Sequence, residues 1–249
     1  MEPTISPAII MRTRELGESD LLVNFFTRDM GLLRGIAKGA KRSKHRFSNC
    51  LDLFCLASVE YGKKRVQNLY MLNSCKLIDS FFGLRSDFSA LCLASYMVEL
   101  TEVLFPAQIS ESRIFDLLKD SLSALDRGVE PGRLRLFFEA RAMALGGYEI
   151  ELSKCCDCGR SYRGEGRAVI NREKGGLSCL GCRKESVSFP GMDPSSVKIL
   201  KTLACNGEGL PDLEALSSEN TKEIACALRI HIDYWLGRRL KTSRYMDEF

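Results

Sequence analysis

Four cysteines, arranged Cys155-x-x-Cys158 and Cys179-x-x-Cys182 with twenty residues between the pairs, are the side chains whose types and spacing point most directly to a chemistry. Two thiolates on one short loop can reach a single ion, and two such loops complete a tetrahedral set. The spacing therefore predicts a structural zinc ribbon that holds Zn2+ through Cys155, Cys158, Cys179 and Cys182. Turn residues beside each pair, Gly159 and Gly181, bring backbone amides that stabilise thiolates. Cys156 is too close to Cys158 for a knuckle of this kind and is read as a bystander. The plainer alternative is a set of buried free thiols or a degenerate site. Between the pairs, Arg167 to Asn171 reads as a strand and Glu173 to Gly176 as the turn back.

A second concentration of chemistry lies near the start of the chain. Arg34, Lys38, Lys41, Arg42, Lys44 and Arg46 fall in one segment beside His45, with no acidic residue between positions 30 and 51. Lys63, Lys64 and Arg65 extend the same character into the next hairpin. Cations gathered in this way displace counterions from a phosphate backbone, so these nine residues are the expected DNA-binding set. The plainer alternative is an exposed basic loop without a ligand. Phe47, inside this polar loop, either stacks on a base or packs the loop against the core.

Other chemistries find little support. Gly35-Ile-Ala-Lys-Gly39-Ala-Lys41 has the wrong glycine spacing for a phosphate-binding Walker loop. Neither histidine, His45 nor His231, opens the His-x-Glu motif of a zinc deaminase. Glu15, Glu18 and Asp20 could be entertained as a divalent-metal nuclease site, but they sit in a turn signal, where acidic residues commonly serve local hydrogen bonding. With no nucleophile and base pair evident, a binding protein is expected rather than an enzyme. A zinc-ribbon adaptor that binds only proteins is the main alternative.

These residues must be positioned by a chain of 249 residues, 45% of them hydrophobic, which suffices for one large or two to three small domains. No apolar run is long enough to span a membrane and Met1-Glu2-Pro3-Thr4 does not open a signal peptide, so the cytoplasm is the expected compartment and no membrane partner is expected. Eleven scattered cysteines fit reduced thiols better than a disulfide framework. The net charge of +4 is unevenly spread: residues 1–80 carry 13 Lys+Arg against 8 Asp+Glu, and residues 81–154 carry 8 against 11. A polyanionic partner for the N-terminal part follows from that imbalance.

Five apolar or alternating runs, Ala8 to Arg12, Leu21 to Thr27, Leu32 to Ala37, Leu51 to Val59 and Val66 to Leu77, read as strands separated by turn signals. Five short strands in under eighty residues suit a small barrel, with an OB-fold expected ahead of an SH3-like barrel. Helical periodicity then takes over. The expected helices begin near Ser86, after Ser110, at Arg133, at Asp193-Pro194 and at Glu219, the last running to Lys241. The fold class expected is multidomain α+β: an N-terminal OB-fold β-barrel followed by an α-helical domain with an inserted four-cysteine zinc ribbon. The domains fall at 1–80 (barrel), 81–154 (helical, first part), 155–190 (ribbon) and 191–249 (helical, second part).

This order resembles the bacterial RecO family of recombination mediators over nearly the whole chain. Pro7-Ala-Ile-Ile-Met11 followed by Gly17-Glu-Ser-Asp20 is similar to the family's opening strand and turn, and Thr27-Arg-Asp-Met-Gly31 to its first hairpin. Ala37-Lys-Gly-Ala-Lys-Arg42 is similar to the family's basic segment, and the ribbon cysteines resemble those of members that retain zinc. Where many members read Leu-Gln-Pro-Phe, this chain has Leu51-Asp-Leu-Phe54. The resemblance implies a cytoplasmic, nucleoid-associated bacterial protein that binds single-stranded and double-stranded DNA and anneals strands coated with single-strand-binding protein. It further implies that, with RecR, the protein helps load RecA. In such proteins the C-terminal tail of single-strand-binding protein docks on the helical domain, where Arg113, Arg127, Arg133 and Arg135 are the available cations.

Overall fold

Alternation of apolar and polar residues in the first eighty positions produces five strands in the computed structural model, which describes residues 3–63, 69–205, 211 and 216–248. They are β1 (Thr4–Leu16), β2 (Asp20–Thr27), β3 (Gly31–Ala37), β4 (Leu56–Lys63) and β5 (Tyr70–Asp79). The strands close into a barrel of order β1-β2-β3-β5-β4, with β4 returning to β1. Every pairing is antiparallel except β3 with β5. This is the topology of an OB-fold. β1 serves two neighbours, Ala8–Leu16 pairing with β2 and Thr4–Ile9 with β4, and the register shift between Ile10 and Arg12 supplies the bend that closure needs. Ala8, Ile10, Val23, Phe25, Val59 and Leu72 fill the interior. Tyr61 meets Phe25 and Tyr70 edge-on, at centroid separations of 5.5 and 5.4 Å.

The fourth strand starts at Leu56 rather than at the expected Leu51. Asp52 to Cys55 is a turn, closed by the Cys55 N–H donating to the Asp52 carbonyl at 3.2 Å. Phe54 takes a left-handed conformation there, with φ of 71°, which drops its ring into the core.

The chain forms two compact units, Met1–Val129 and Glu130–Phe249. The first contains the barrel with α1 (Phe88–Leu104) and α2 (Ser112–Asp126). Asp87 caps α1 by accepting from the Ser89 and Ala90 N–H groups, and Leu93, Met97, Leu100 and Leu104, spaced along one face, are buried. The second unit contains α3 (Pro131–Leu145), α4 (Pro194–Ala204) and α5 (Ser218–Leu236). Between α3 and α4 lies a sheet of β6 (Glu151–Cys155), β7 (Ala168–Asn171), β8 (Gly176–Cys179) and β9 (Gly191–Met192), ordered β6-β8-β7-β9. It carries all four paired cysteines or their loops. α5 stops at Leu236, short of the expected Lys241, because Gly237 turns left-handed and returns its N–H to the Tyr234 carbonyl. Among the described residues, no helix is long and apolar enough to cross a membrane.

Candidate nucleic-acid interface and metal centre

The basic segment leaves β3 and is fastened at both ends. The Gly39 N–H donates to the Asp20 carboxylate at 2.8 Å and the Lys41 N–H to the Ser19 carbonyl at 3.0 Å, tying it to the β1–β2 turn. Further along, the Cys75 N–H of β5 donates to the Arg46 carbonyl at 2.8 Å. Ala40 and Phe47 are buried beneath it. Phe47 therefore packs the loop down rather than offering a face for stacking on a base, and the Arg46 guanidinium covers its ring at 5.2 Å. Arg34, Lys38, Lys41, Arg42, Lys44 and Arg46 all remain exposed on this fixed backbone. Lys41 pairs with Glu15 at 2.8 Å and Arg42 with Glu18 at 3.8 Å. Arg46 donates to the Lys38 carbonyl at 2.9 Å. Arg34, Lys38 and Lys44 make no ion pair among the described residues. Lys63 ends β4; its side chain, and Lys64 and Arg65 altogether, lie outside the described residues.

The carboxylates entertained as a nuclease site are spent on this loop. Glu15 and Glu18 face its cations, and the Gly39 N–H, with help from the Ser19 hydroxyl, holds the Asp20 carboxyl below the usual carboxylate range. Among the described residues they do not converge as a set of metal ligands.

Two cations that the sequence did not single out join the set. Cross-strand register places Arg12 opposite Asn24 and Asn24 opposite Arg34, with Arg14, Leu22 and Ile36 as the next row. Arg12, Arg14, Leu22, Asn24 and Arg34 line a depression of about 280 Å³ on the outer barrel face. A larger groove of about 700 Å³ shares Leu22, Asn24 and Arg34 and adds the apolar side chains of Leu16, Leu32 and Ile36. Arg12 is held by Glu102 of α1 at 2.6 Å. The sequence signal was the alternation Arg12-x-Arg14, which alone is indistinguishable from an ordinary solvated strand face.

In the second unit the Sγ atoms of Cys155, Cys158, Cys179 and Cys182 all lie within 4.8 Å of one another, with Cys158 and Cys179 at 4.0 Å. Four sulfurs at ~2.3 Å from one ion would stand ~3.8 Å apart, so the donor set fits a tetrahedral metal ion. Burial works against the Cys155 thiolate, but the Cys158, Cys179 and Asp157 amides outweigh it and bring the thiol down to about 6. Cys182 moves the other way, to about 12, because its thiol shares hydrogen bonds with Cys179 and Cys158. All four can ionise together only around a cation. Cys156 faces the Ser178 hydroxyl at 3.4 Å and stays outside the set. Lys174 donates to Asp157 at 2.8 Å and Ser178 donates to the same carboxylate, bracing the first knuckle.

A second group of close carboxylates, Asp193, Glu219 and Glu223, is occupied differently. Arg167 enters it, meeting Asp193 at 2.6 Å, Glu223 at 3.0 Å and Glu185 at 3.3 Å. The remaining Glu223 oxygen accepts from the Asp193 N–H and the Ser196 hydroxyl. One guanidinium thereby ties the ribbon to α4 and α5. The four helical arginines expected as available cations are also engaged: Arg113 with Glu111, Arg127 with Ser123, Arg133 with Glu130, and Arg135 with the buried Glu139.

The profile described as Recombination protein O N terminal matches residues 1–81, and that described as Recombination protein O C terminal matches residues 85–244. The chain is 32% identical to the DNA repair protein RecO of Syntrophus aciditrophicus, covering 96% of this chain and 93% of that protein. It is 31% identical to that of Anaeromyxobacter sp. strain K over 96% and 94% of the two chains. Identity to the protein of the same name from Syntrophobacter fumaroxidans is 36%, over 81% and 80%. With its barrel, helices and four-cysteine sheet matched in that order, the chain belongs to the RecO family and has a role in DNA repair and recombination.

Proposed function

We propose that this protein is a DNA-binding recombination mediator that anneals complementary single strands and, with RecR, helps load RecA on DNA coated with single-strand-binding protein. The observation that carries the reading is a rigid loop of exposed cations, Arg34 to Arg46, adjoining the arginine-rimmed depression of an OB barrel. Cationic side chains lower the repulsion between two phosphate backbones, and a shallow face leaves base edges free to pair. Arg34, Lys38, Lys41, Arg42, Lys44 and Arg46 form the site, with Lys63, Lys64 and Arg65 extending it and Arg12 and Arg14 added from the fold. Both single-stranded and duplex DNA are partners, and the tail of single-strand-binding protein docks on the helical part. No covalent step is required, so the protein is not an enzyme. The four cysteines hold a structural zinc ion, which braces the ribbon and takes no part in DNA binding. The protein works in the bacterial cytoplasm, at the nucleoid.

Anisotropy titration of a labelled, unstructured oligonucleotide at two salt concentrations tests the site. Arg34→Glu with Lys44→Glu is expected to weaken binding by at least about tenfold and to flatten the salt dependence by about one unit for each phosphate no longer neutralised. Unchanged affinity and slope would remove the basic loop from the interface. Absence of binding by the parent protein at low salt would favour a zinc-ribbon adaptor that binds only proteins. Strand annealing with and without single-strand-binding protein tests the mediator role.

A further inference from the structure

The end of α5 and the ribbon turn assemble an aromatic and cationic surface that the proposed DNA site does not use. Trp235, the chain's single tryptophan, approaches Gly175 so closely that a Cβ there would stand 3.1 Å from the indole Cζ2. The ring is nevertheless 41% exposed, and Tyr234, edge-on to it at 6.0 Å, is 44% exposed. Fold stability does not call for this, since Ile224, Leu228 and Ile232 already bury the inner stripe of α5. Arg172 lies 5.8 Å from both the Tyr234 and Phe189 rings, and Arg183 covers Phe189 at 4.2 Å. Positive charge and π faces thus alternate across the patch. Arg183 has only a 3.8 Å pair with Glu173, and Arg238, just past the helix end, is exposed with no ion pair among the described residues.

We propose that this patch is a second binding site for single-stranded DNA, in which a base stacks on Trp235 or Tyr234 while Arg238 and Arg183 neutralise neighbouring phosphates. Every base offers a π face, so such a platform holds a strand without reading its sequence, and the adjacent guanidinium groups supply the charge that a strand requires. An acidic peptide would satisfy the arginines but would leave the paired half-exposed rings without a stacking partner. The inference rests on the annealing reading, because annealing requires two strands. A chain with one strand on its barrel and one here carries both without a second copy.

Because no other tryptophan is present, indole emission reports this site alone. The full-length protein is titrated with oligothymidine while tryptophan emission is followed, in parallel with anisotropy of a labelled oligonucleotide. Emission is expected to be quenched, with a midpoint that moves less than about twofold in the Arg34→Glu, Lys44→Glu protein, since sites without shared partners act independently. Tyr234→Ala is expected to raise the midpoint about tenfold, the scale of a single base–aromatic stack, and Tyr234→Phe to restore it. Arg238→Glu is expected to raise it at low salt and less so at high salt. Anisotropy that rises while indole emission stays constant overturns the second site and leaves the barrel site standing. Quenching abolished by the barrel substitutions, or produced by an acidic peptide and not by oligothymidine, overturns it as well. If neither observable responds, the DNA-binding reading falls together with this one.

Discussion

The basic loop of the barrel and the four-cysteine sheet are both rich in charge, yet they treat it in opposite ways. On the loop the backbone is fastened by Asp20, Ser19 and the Cys75 amide, while Arg34, Lys38 and Lys44 are left in water without ion pairs among the described residues. In the ribbon, Arg167 meets three carboxylates, Lys174 meets Asp157, and four thiols converge on one point. Saturated charges have spent their interaction energy on the fold. Unsaturated charges on a fixed backbone keep theirs for a ligand, with little left to order on binding. Substitutions of the saturated groups in the ribbon should therefore cost stability and leave DNA affinity at the barrel alone, and substitutions on the loop should do the reverse.

The largest test of that contrast is the metal. Cys158→Ser, or a strong chelator, should release the ion and lower the thermal midpoint of the second unit by well over 10 °C. Structural zinc contributes about 10–16 kcal/mol in isolated zinc-finger peptides, and a folded neighbour retains only part of that loss. Metal content and a thermal melt measure it, and oligonucleotide affinity at the barrel should hold at temperatures below the new transition. Fresh protein that contains no zinc would remove the metal from the ribbon and weaken the contrast at its root.

Next in size is Arg167→Met, which strands Asp193, Glu185 and Glu223 beside one another. The guanidinium is about a third exposed, so solvent screening reduces the loss to about 2 kcal/mol. The effect should also change with pH. Burial tends to raise the Glu223 carboxyl, but the Ser196 hydroxyl, the Asp193 N–H and Arg167 together hold it below its ordinary value. That stabilisation is present above the unfolded carboxylate range and is lost as pH falls through the folded value. Without Arg167 the acid limb of a stability profile should become shallower, because Glu223 moves back toward its unfolded value, and a profile identical to the parent would show the clamp to be idle.

Much of this contrast could be read from the chain. The cysteine spacing picked out four sulfurs that converge, because each Cys-x-x-Cys turn brings its own pair together and the β6-β8 pairing brings the two turns to one place. Alternation located the barrel strands, and the change to a helical period near Ser86 placed the first helix, which starts at Phe88. The missing parts depend on long-range partners. Arg12 and Arg14 join the cationic face only through a register set by the bulge after Ile10, and no local signal distinguishes them from a solvated strand. Phe47 has polar neighbours in sequence but a hydrophobic cluster in space, which decided its role against stacking. Arg167 looked like the start of a strand, and its three carboxylate partners lie 18, 26 and 56 residues away.

A smaller effect is expected from His231. Its Nε2 faces the Tyr148 carbonyl at 2.8 Å, its Nδ1 is buried without a partner, and burial pushes its pKa below 6.5 despite the carbonyl. The folded state thus resists the second proton that the unfolded chain accepts. This contribution to stability is present above the unfolded value and declines as pH falls through it toward the folded value. Denaturant melts at pH 6.5 and 5.5 measure the decline, and His231→Gln should flatten it. A decline of the same size in that variant would assign it to other groups.

The smallest expected effect is the most discriminating for the loop. Glu18 and Arg42 sit 3.8 Å apart with side chains 93% and 74% exposed, a pair worth a few tenths of a kcal/mol at most to the fold. Glu18→Gln should therefore leave the melting temperature unchanged and tighten DNA binding about twofold, by freeing Arg42 and removing one negative charge near the phosphates. Glu15→Gln should act in the same direction and more strongly, since Lys41 is held at 2.8 Å. Anisotropy at low salt resolves such differences, and they should vanish near 1 M salt, where screening reaches ~3 Å. If these substitutions instead destabilised the barrel and left affinity untouched, the acidic turn would be bracing the loop as Arg167 braces the ribbon. The two regions would then use charge in the same way.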